Sequence, residues 1–509
     1  MWNNRERRER YAAPPRFPDL APPTPMLDPA VHAQLAAILP PSALLTTTEE
    51  TRPYECDGLT MYRELPAAVA IPESEAQVVD VLVRCHAARV PVVARGAGTS
   101  LSGGALPDKR GVLLSMAKFR RILAIDPLAR TAVVQPGVRN LAISEAAAAY
   151  GLYYAPDPSS QIACTIGGNV AENAGGVHCL KYGLTVHNIR RVRGVLITGE
   201  IVEFGGDALD SAGYDLLALV TGSEGLLAVI TEITVKLTPK PQTAQVALAA
   251  FDDVGAAGAA VAAVIGAGIV PAGLEMMDRK ATRAVEEFVH ASYPLDAAAV
   301  LLVETDGTPE EVAADMAEIR RVLAEAGATG IRVSKDDRER LLLWSGRKAA
   351  FPAIGRITPD YYCMDGTIPR KALAQVLRRI EALSDEYRLR CANVFHAGDG
   401  NLHPLIMYDA NIADEIVRAE AFGAAILELC IEVGGTITGE HGVGAEKLPQ
   451  MCVQFRPAEL ERFLAVKTAF DAHSLLNPGK GVPTLSRCAE FGKMHVHHGK
   501  MAHPELPRF

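Results

Sequence analysis

The chain has 509 residues, which is enough for two or more domains with substantial cores. Its net charge is −9 and it has no long basic stripe, so nothing favours a nucleic-acid partner. Apolar residues make up 49% of the chain and aromatic residues only 6%. This balance suits an α/β or α+β enzyme better than a β-sandwich.

The ends of the chain and its cysteines bear on its cellular compartment. RERRER near the N-terminus is followed by a proline-rich stretch without an apolar core, so no signal peptide is predicted. Residues 1–26 are expected to form a disordered tail. None of the nine cysteines forms a CxxC pair, which predicts reduced thiols in the cytoplasm, no disulfide framework and no iron–sulfur cluster.

Residues 65–240 alternate short β-rich runs with glycine-rich loops, and Pro-Lys-Pro at 239–241 predicts a domain boundary. RGAGTSLSGGA (95–105) follows the predicted strand PVVA, but Leu101 replaces the third glycine of a Rossmann motif. The next ordered segment is the strand GVLLSM, so a Rossmann site is excluded, and no GK[ST] supports a P-loop. The remaining alternatives are an anion-binding concavity of backbone N–H groups and an ordinary long turn.

Two later segments have the same small-residue character. PDPSSQIACTIGGNVAENAGG (156–176) contains four glycines and two asparagines, and TGSEGLLAVIT (221–231) adds two more glycines. Glycine permits both close backbone approach and positive φ. Three such loops in one domain predict a long, flat ligand wrapped by backbone.

From about residue 245, predicted strands alternate with predicted helices. VALAAF, AGLEMMD and AVLLVETDG are strands, and Thr308-Pro309-Glu310-Glu311 is a capping box that begins a helix with an apolar face. The uncharged stretch 254–274 approaches the length of a membrane span, but its alanine and glycine content favours a packed helix followed by a strand. Further helices are expected after 370, near 412–434 and near 457–471.

FHAGDGNLHP (395–404) predicts a tight hairpin with Asp399 and Gly400 at its turn. In that register His396 and His403 lie directly opposite each other, with Cβ atoms roughly 5 Å apart. Two imidazoles at this distance can bind one metal ion, and the alternative is a stacked pair on the surface. A mononuclear site needs a third ligand, often a carboxylate, and TGEHGVG (438–444) contains Glu440 beside His441.

The ordered set RGAGTSLSGGA, IGGNVAENAGG, TGSEG, HAGDGNLHP and TGEHGVG resembles the FAD-linked oxidases of the vanillyl-alcohol-oxidase type. Within that family it is most similar to the flavin-bearing subunits of bacterial glycolate oxidases, from about Leu27 to the C-terminus. The resemblance implies an α+β fold with a two-subdomain FAD-binding domain at 27–240. It also implies a cap domain at 241–480, with an antiparallel ferredoxin-like sheet and helices, and a tail at 481–509.

The resemblance also assigns residues to the cofactor. The pyrophosphate is expected at Arg95, Gly96, Ala97, Gly98, Thr99, Ser100 and Leu101. The other expected cofactor-binding residues are Pro156, Gly167, Gly168, Asn173, Gly175, Gly176, Glu224, Gly225, Asn477 and Lys480. Relatives with covalent flavin carry a histidine in the first loop, which has none here, so noncovalent FAD is expected. Ser100 and Ala228 stand where relatives usually have glycine.

For the reaction, the resemblance assigns Glu440 as the third metal ligand after His396 and His403. It assigns His441 to proton transfer from the substrate and Arg347 to binding of the substrate carboxylate. The expected ion is Zn, with Mn or Fe as alternatives. The implied reaction is oxidation of a 2-hydroxy acid, in which the metal lowers the pKa of the hydroxyl group and the flavin accepts a hydride.

Relatives that oxidise D-2-hydroxyglutarate carry a lysine where this chain has Cys363, which favours a small monocarboxylate such as glycolate or D-lactate. The expected partners are a second flavin-type subunit and an iron–sulfur subunit of a glycolate oxidase complex. The protein is expected in the cytoplasm, with peripheral attachment to the inner membrane through those partners as an alternative. A noncatalytic flavin-fold subunit and a metal hydrolase without flavin are the competing functions. HVHH at 495–498 is interpreted as a solvated tail.

Overall fold

The structure is a computed structural model that describes residues 26–208 and 213–484. Residues 1–25 of the predicted N-terminal tail, most of the predicted C-terminal tail and the HVHH segment lie outside the described residues. The described chain forms two compact units. The described residues of the N-terminal unit are 26–175, 184–208, 213–239 and 441–484, and those of the central unit are 176–183 and 240–440.

Within the described residues the strands run along the whole chain. They are β1 (Leu44–Leu45), β2 (Ala68–Ala70), β3 (Val92–Arg95), β4 (Val112–Ser115), β5 (Ile122–Asp126), β6 (Thr131–Val134), β7 (Leu152–Tyr153), β8 (Ile189–Val195), β9 (Ile201–Gly205), β10 (Val229–Lys236), β11 (Thr238–Pro239), β12 (Thr243–Phe251), β13 (Gly273–Asp278), β14 (Ala299–Gly307), β15 (Gly330–Val333), β16 (Asp360–Cys363), β17 (Cys391–Phe395) and β18 (Pro404–Tyr408).

The α-helices of the described residues vary from single turns to five turns. They are α1 (Pro29–Ala36), α2 (Thr48–Thr51), α3 (Glu75–Ala88), α4 (Asn140–Ala147), α5 (Ile166–Glu172), α6 (Cys179–Tyr182), α7 (Leu216–Val220), α8 (Val254–Gly266), α9 (Arg279–Val289), α10 (Pro309–Glu325), α11 (Asp337–Lys348), α12 (Ala350–Ile354), α13 (Leu373–Tyr387), α14 (Ala413–Glu432), α15 (Leu448–Gln454) and α16 (Pro457–Phe470).

The N-terminal unit contains two main sheets. The first has the order β1-β2-β4-β3, in which β2, β4 and β3 are parallel. No helix lies between β3 and β4, as the sequence predicted, so the glycine-rich loop 96–111 makes this connection alone. The second sheet is antiparallel with the order β5-β6-β10-β8-β9. Each sheet has its own apolar core, and Leu475 and Leu476 return from the C-terminus to complete the first.

The central unit is built on one antiparallel sheet of seven strands, in the order β15-β12-β14-β13-β17-β18-β16. In its first half the fourth strand lies beside the first and the third lies between the first and the second, which is the ferredoxin-like order. The capping box at Thr308 is present, and Val312, Met316, Ile319, Val322 and Leu323 form the buried face of α10. The predicted strands and helices after residue 245 are therefore confirmed.

The uncharged stretch 254–274 folds as α8 followed by β13, as predicted. Asp253 caps the helix by accepting a hydrogen bond from the backbone N–H of Ala256. Buried glycine and alanine positions of α8 let the helix pack closely, and Gly258 approaches the backbone of Ala374 in α13. Among the described residues, no helix combines the length and the apolarity needed to cross a membrane.

Candidate functional site

The histidine hairpin exists, but its predicted register is wrong. His396 pairs with Asn401 rather than with His403, and His403 accepts the N–H of Val394 through its carbonyl oxygen. The turn is longer than predicted because the N–H of Gly400 (φ +83°) donates to the carbonyl oxygen of His396. The error is two residues, and side chains of a strand alternate with a period of two. Both histidines therefore remain on one face.

The two imidazoles converge on one carboxylate, as the metal hypothesis requires. The ring centroids of His396 and His403 are 5.1 Å apart, and the rings are nearly perpendicular. Nε2 of His396 lies 3.3 Å and Nε2 of His403 lies 2.8 Å from Oε1 of Glu440. Asp365 orients this glutamate from behind, since its carboxylate accepts the backbone N–H of Glu440 at 3.1 Å and the hydroxyl of Thr438 at 2.6 Å. The three ligand candidates are thus assembled within the central unit.

The outer nitrogens of both rings have fixed partners. Nδ1 of His396 lies 2.7 Å from Oε1 of Glu275, and Nδ1 of His403 lies 3.3 Å from the carbonyl oxygen of Met364. A carboxylate or carbonyl that accepts Nδ1–H leaves the Nε2 lone pair available for a metal. In that tautomer a lone pair of His396 faces the oxygen of Glu440, so the arrangement requires a positive charge between them. The residues therefore fit a divalent cation.

The pKa values of this cluster show how strongly the carboxylates attract positive charge. Burial lowers the pKa of His396, but the charges of Glu275 and Glu440 outweigh it and hold that pKa well above its usual value. Burial likewise raises the pKa of Glu440, yet the two histidines hold it well below its usual value. A proton on the imidazole or a bound cation satisfies the same electrostatic demand.

Arg347 lies in the last turn of α11 and is only 1% exposed. Its Nη2 forms an ion pair with Oε2 of Glu275 at 2.6 Å. Nevertheless, Nε and Nη2 donate a hydrogen bond to no residue that the structure describes. A buried guanidinium with unsatisfied donors is a chemically suitable partner for a carboxylate, which accepts two N–H groups at once.

Two other predicted residues are neighbours of the triad, Cys363 within the central unit and His441 in chain order. Cys363 ends β16, is 3% exposed, and places its Sγ within 4.8 Å of a ring nitrogen of His403. His441 follows Glu440 directly in the chain and is the first residue of the last segment of the N-terminal unit. The side chain of His441 is partly buried.

The first glycine-rich loop of the N-terminal unit presents unused backbone donors. From Gly96 to Leu101, no backbone N–H donates to another residue's carbonyl oxygen within 26–208 and 213–484. Gly58 packs closely against this loop, since a Cβ at that position would lie 2.8 Å from the carbonyl oxygen of Ser100. Arg95 is fixed by donating to the carbonyl oxygen of Cys56 at 2.6 Å. A run of free N–H groups beside an arginine fits a pyrophosphate.

The second predicted loop is partly a helix, because Gly167 and Gly168 lie in the first turn of α5. Gly167 packs so closely against Pro136 that an added Cβ would lie 2.5 Å from the proline side chain. Gly168 has more space, since the nearest atom to an added Cβ would be 3.7 Å away. Asn173 ends the helix in the left-handed conformation (φ +52°). Pro156 accepts Nδ2–H of Asn140 at 3.1 Å. Of the two glycines that close the segment, 175 belongs to the N-terminal unit and 176 to the central unit.

The third loop and the C-terminal residues meet in the N-terminal unit. Glu224 (φ +52°) accepts the backbone N–H groups of Val443 at 2.8 Å and Gly444 at 2.6 Å. Asn477 donates to the carbonyl oxygen of Glu224 at 2.6 Å, and Lys480 contacts Oδ1 of Asn477 at 2.5 Å. The positive φ of Gly225 (+70°) allows this tight turn. Asn477 and Lys480 therefore reach the predicted loops.

Buried carboxylates also lie around these loops. Burial, followed by the charge of Glu224, raises the pKa of Glu172 well above its usual value. Burial raises the pKa of Glu224 as well, although the two backbone N–H groups that donate to its carboxylate act to lower that pKa. Burial raises the pKa of Asp57 to about 6. This group of acids gives the N-terminal unit several protonatable sites in its interior.

Comparison with protein families matches both units. Residues 66–205 match the FAD binding domain, and residues 240–481 match the C-terminal domain of FAD linked oxidases. The chain is 62% identical to glycolate oxidase subunit GlcD of Escherichia coli K12 over 471 residues, which cover 92% of this chain and 94% of the relative. The chain belongs to the FAD-linked oxidase family. Another member, glycolate oxidase subunit GlcD of Bacillus subtilis, is 40% identical over 84% of this chain and 91% of its own length.

The fold of this FAD-linked oxidase also matches a solved structure. p-Cresol methylhydroxylase superposes with a TM-score of 0.75 at 17% identity, covering 89% of this chain and 96% of that structure. The predicted fold class, an FAD-binding domain of the vanillyl-alcohol-oxidase type followed by a second α+β domain, is confirmed. The protein is an FAD-dependent oxidoreductase, and its unused N–H groups from Gly96 to Leu101 fit the cofactor.

Two acids beside the candidate metal ligands of this FAD-linked oxidase were not predicted from the sequence. Glu275 contacts His396 from the middle of β13, and Asp365 binds the backbone of Glu440. The signal for Glu275 was present, because one glutamate interrupts the apolar strand AGLEMMD and a buried acid needs a partner. Asp365 follows a strand in a glycine turn, where local sequence carries no comparable signal.

Proposed function

We propose that this chain is the flavin-bearing subunit of an enzyme that oxidises a small 2-hydroxy acid, converting glycolate to glyoxylate and, as a second candidate, D-lactate to pyruvate. The relatives of 62% and 40% identity are glycolate oxidase subunits, which supports the substrate class. The single observation that carries the proposal is the convergence of His396, His403 and Glu440, because a flavin-fold protein without catalysis has no need of it.

Each group then has one task. When bound, FAD would supply the hydride acceptor for the substrate Cα, and a divalent cation would supply the charge that lowers the pKa of the substrate hydroxyl group. His396, His403 and Glu440 would hold the cation, which we expect to be Zn, with Mn or Fe as alternatives. His441 would accept the hydroxyl proton. The substrate thus loses one proton and one hydride, which together convert the alcohol into a carbonyl group.

Arg347 would bind the substrate carboxylate through the N–H groups that have no acceptor among the described residues. Cys363 supports a small substrate, because this short neutral side chain lies next to His403 and offers no charge to a second carboxylate. A lysine there would favour a dicarboxylate such as D-2-hydroxyglutarate. We therefore place glycolate and D-lactate ahead of that alternative.

We further propose that FAD is held noncovalently by the predicted glycine-rich segments and that its electrons leave through partner subunits. No CxxC pair occurs in the sequence, so an iron–sulfur cluster of the usual type needs a second chain. An iron–sulfur subunit and a second flavin-type subunit are the proposed partners, and they would provide any attachment to the inner membrane. Co-purification from cells that express all three chains tests this assembly.

The central experiment is anaerobic reduction of the flavin by glycolate, D-lactate, L-lactate and D-2-hydroxyglutarate. Glycolate should bleach the yellow colour of the wild type, and His403→Ala should lose both the bleaching and the bound metal. His473→Ala replaces an exposed histidine and serves as the matched control. A colourless protein would support a metal hydrolase, and a yellow protein that no acid bleaches would support a noncatalytic subunit. Either result refutes the proposal.

A further inference from the structure

Glu275 lies between the candidate metal ligands and Arg347, the candidate anion-binding residue. It stands in the middle of β13 and is 1% exposed. Met276 and Met277 pair with Phe395 and Val394, so the same register brings Glu275 opposite His396. One carboxylate oxygen lies 2.7 Å from Nδ1 of His396, and the other lies 2.6 Å from Nη2 of Arg347. A single side chain therefore contacts both a candidate metal ligand, His396, and the arginine proposed to bind the substrate carboxylate, Arg347.

We propose that Glu275 is a positioning residue that couples the metal site to the anion site by holding His396 and Arg347 at once. The inference rests on the proposed function, which gives those two residues their roles. By accepting Nδ1–H, Glu275 selects the tautomer of His396 whose Nε2 faces Glu440. By its charge, it compensates a guanidinium that is 1% exposed and would otherwise be buried without a counter-ion.

Glutamine cannot replace Glu275 at both contacts. An amide has one acceptor oxygen and one donor NH₂ group, whereas both partners of Glu275 require an acceptor. If the oxygen faces His396, the NH₂ group faces the N–H groups of Arg347. If the NH₂ group faces His396 instead, Nδ1 must accept, and the proton then sits on Nε2, where it blocks a metal. The positive charge of Arg347 repels the NH₂ group and attracts the amide oxygen, so the second orientation is preferred and Glu275→Gln should weaken the metal site.

The neighbouring strand provides a matched control. Glu304 of β14 is 2% exposed and also accepts from a histidine and an arginine, with 3.2 Å from Nε2 of His178 and 3.2 Å from Nη1 of Arg340. Among the described residues, Glu304 forms no hydrogen bond or ion pair with His396, His403 or Glu440. Glu304→Gln therefore reproduces the loss of a buried, hydrogen-bonded carboxylate in the same sheet without touching the metal site.

The test measures zinc affinity without substrate. Wild type, Glu275→Gln, Glu304→Gln and the double variant Glu275→Gln/Arg347→Met are stripped with a chelator and titrated with Zn²⁺ against a chromophoric competitor. Glu275→Gln should raise the dissociation constant for Zn²⁺ by about 10–100-fold, and Glu304→Gln should leave it unchanged. The double variant should recover part of the loss, because the amide oxygen is then free to face His396.

Each outcome decides the inference. Wild-type affinity in Glu275→Gln, an equal loss in Glu304→Gln, or no recovery in the double variant would overturn it. If Glu275→Gln does not fold, Glu275→Met/Arg347→Met replaces it, because this variant buries no charge and gives Nδ1 of His396 no acceptor. Wild-type zinc affinity in that variant would also overturn the inference. Circular dichroism confirms folding. A wild type that binds no zinc, or whose flavin glycolate does not reduce, refutes the proposed function instead.

Discussion

Replacing Gly96 by alanine tests the packing of the first glycine-rich loop. The φ of Gly96 lies outside the left-handed region, so alanine meets no backbone strain there. However, its Cβ would come closer than 3.0 Å to Oγ1 of Thr165, while Cβ of Thr165 would remain at 3.7 Å. The expected cost is that of overpacking a buried contact, about 1–3 kcal/mol. For a domain of this size, 1 kcal/mol corresponds to about 2–4 °C, so Tm should fall by about 2–12 °C.

The contact can be isolated with a double-variant cycle on Thr165→Ala. This change removes Oγ1, which makes no hydrogen bond with the described residues, and leaves a Cβ at an ordinary distance. Gly96→Ala should therefore cost about 1–3 kcal/mol in the wild type and close to zero in the Thr165→Ala background. Tm is measured by differential scanning calorimetry, and retained FAD is measured from the visible absorbance after gel filtration.

Gly206→Ala is the matched control, because its Cβ would meet no atom within 4 Å and its φ is not positive. It should change neither Tm nor retained FAD, whereas Gly96→Ala should lose FAD as the loop is displaced. Equal destabilisation by Gly96→Ala in both backgrounds would show that Thr165 is not its neighbour. The packing of the loop against α5 would then be wrong.

Three further changes test other parts of the structure. Burial raises the pKa of Asp57 to about 6, so the folded protein retains a proton that the unfolded chain releases. Stability from this group is full well below the unfolded pKa of about 4 and is lost as the pH rises through 6, so wild type should lose about 2 kcal/mol relative to Asp57→Asn between pH 4 and 7 in urea titrations. Lys467→Met leaves Asp471, 1% exposed, without its 2.6 Å ion pair and should cost about 3–5 kcal/mol of unfolding free energy, whereas a loss below 1 kcal/mol would contradict the pair. Gly400→Ala forces alanine to positive φ against the carbonyl oxygen of Ile368, so it should cost at least about 1–2 kcal/mol of unfolding free energy and lower the bound metal measured by mass spectrometry. Unchanged metal content would contradict this turn conformation.

Local sequence was sufficient where the interaction that forms an element is itself local. The capping box at Thr308 and the apolar spacing after it predicted α10. The glycine-rich loop after Arg95 was recognised because no helix signal followed it. These elements depend on contacts a few residues apart, which are visible in the order of the residues.

Register and partner choice could not be obtained in this way. The Asp-Gly signal placed the hairpin correctly but put His396 opposite His403, because nothing local showed that the N–H of Gly400 would bond back to His396. The glycines of 156–176 were expected in a loop, yet Gly167 lies in α5 because it packs against Pro136, which is distant in sequence. Such contacts depend on which segments meet.

The order of residues determined the chemical inventory of this protein: the small-residue loops, two histidines on one strand face, and an acid in TGEHGVG. The period of two along a strand kept both imidazoles on one face even though the register was mistaken. Only tertiary structure decided that Glu440 lies between those imidazoles and that Glu275 joins His396 to Arg347. A buried charge is stable only when a suitable partner lies within hydrogen-bonding distance, and both the burial and the distance are properties of the folded chain.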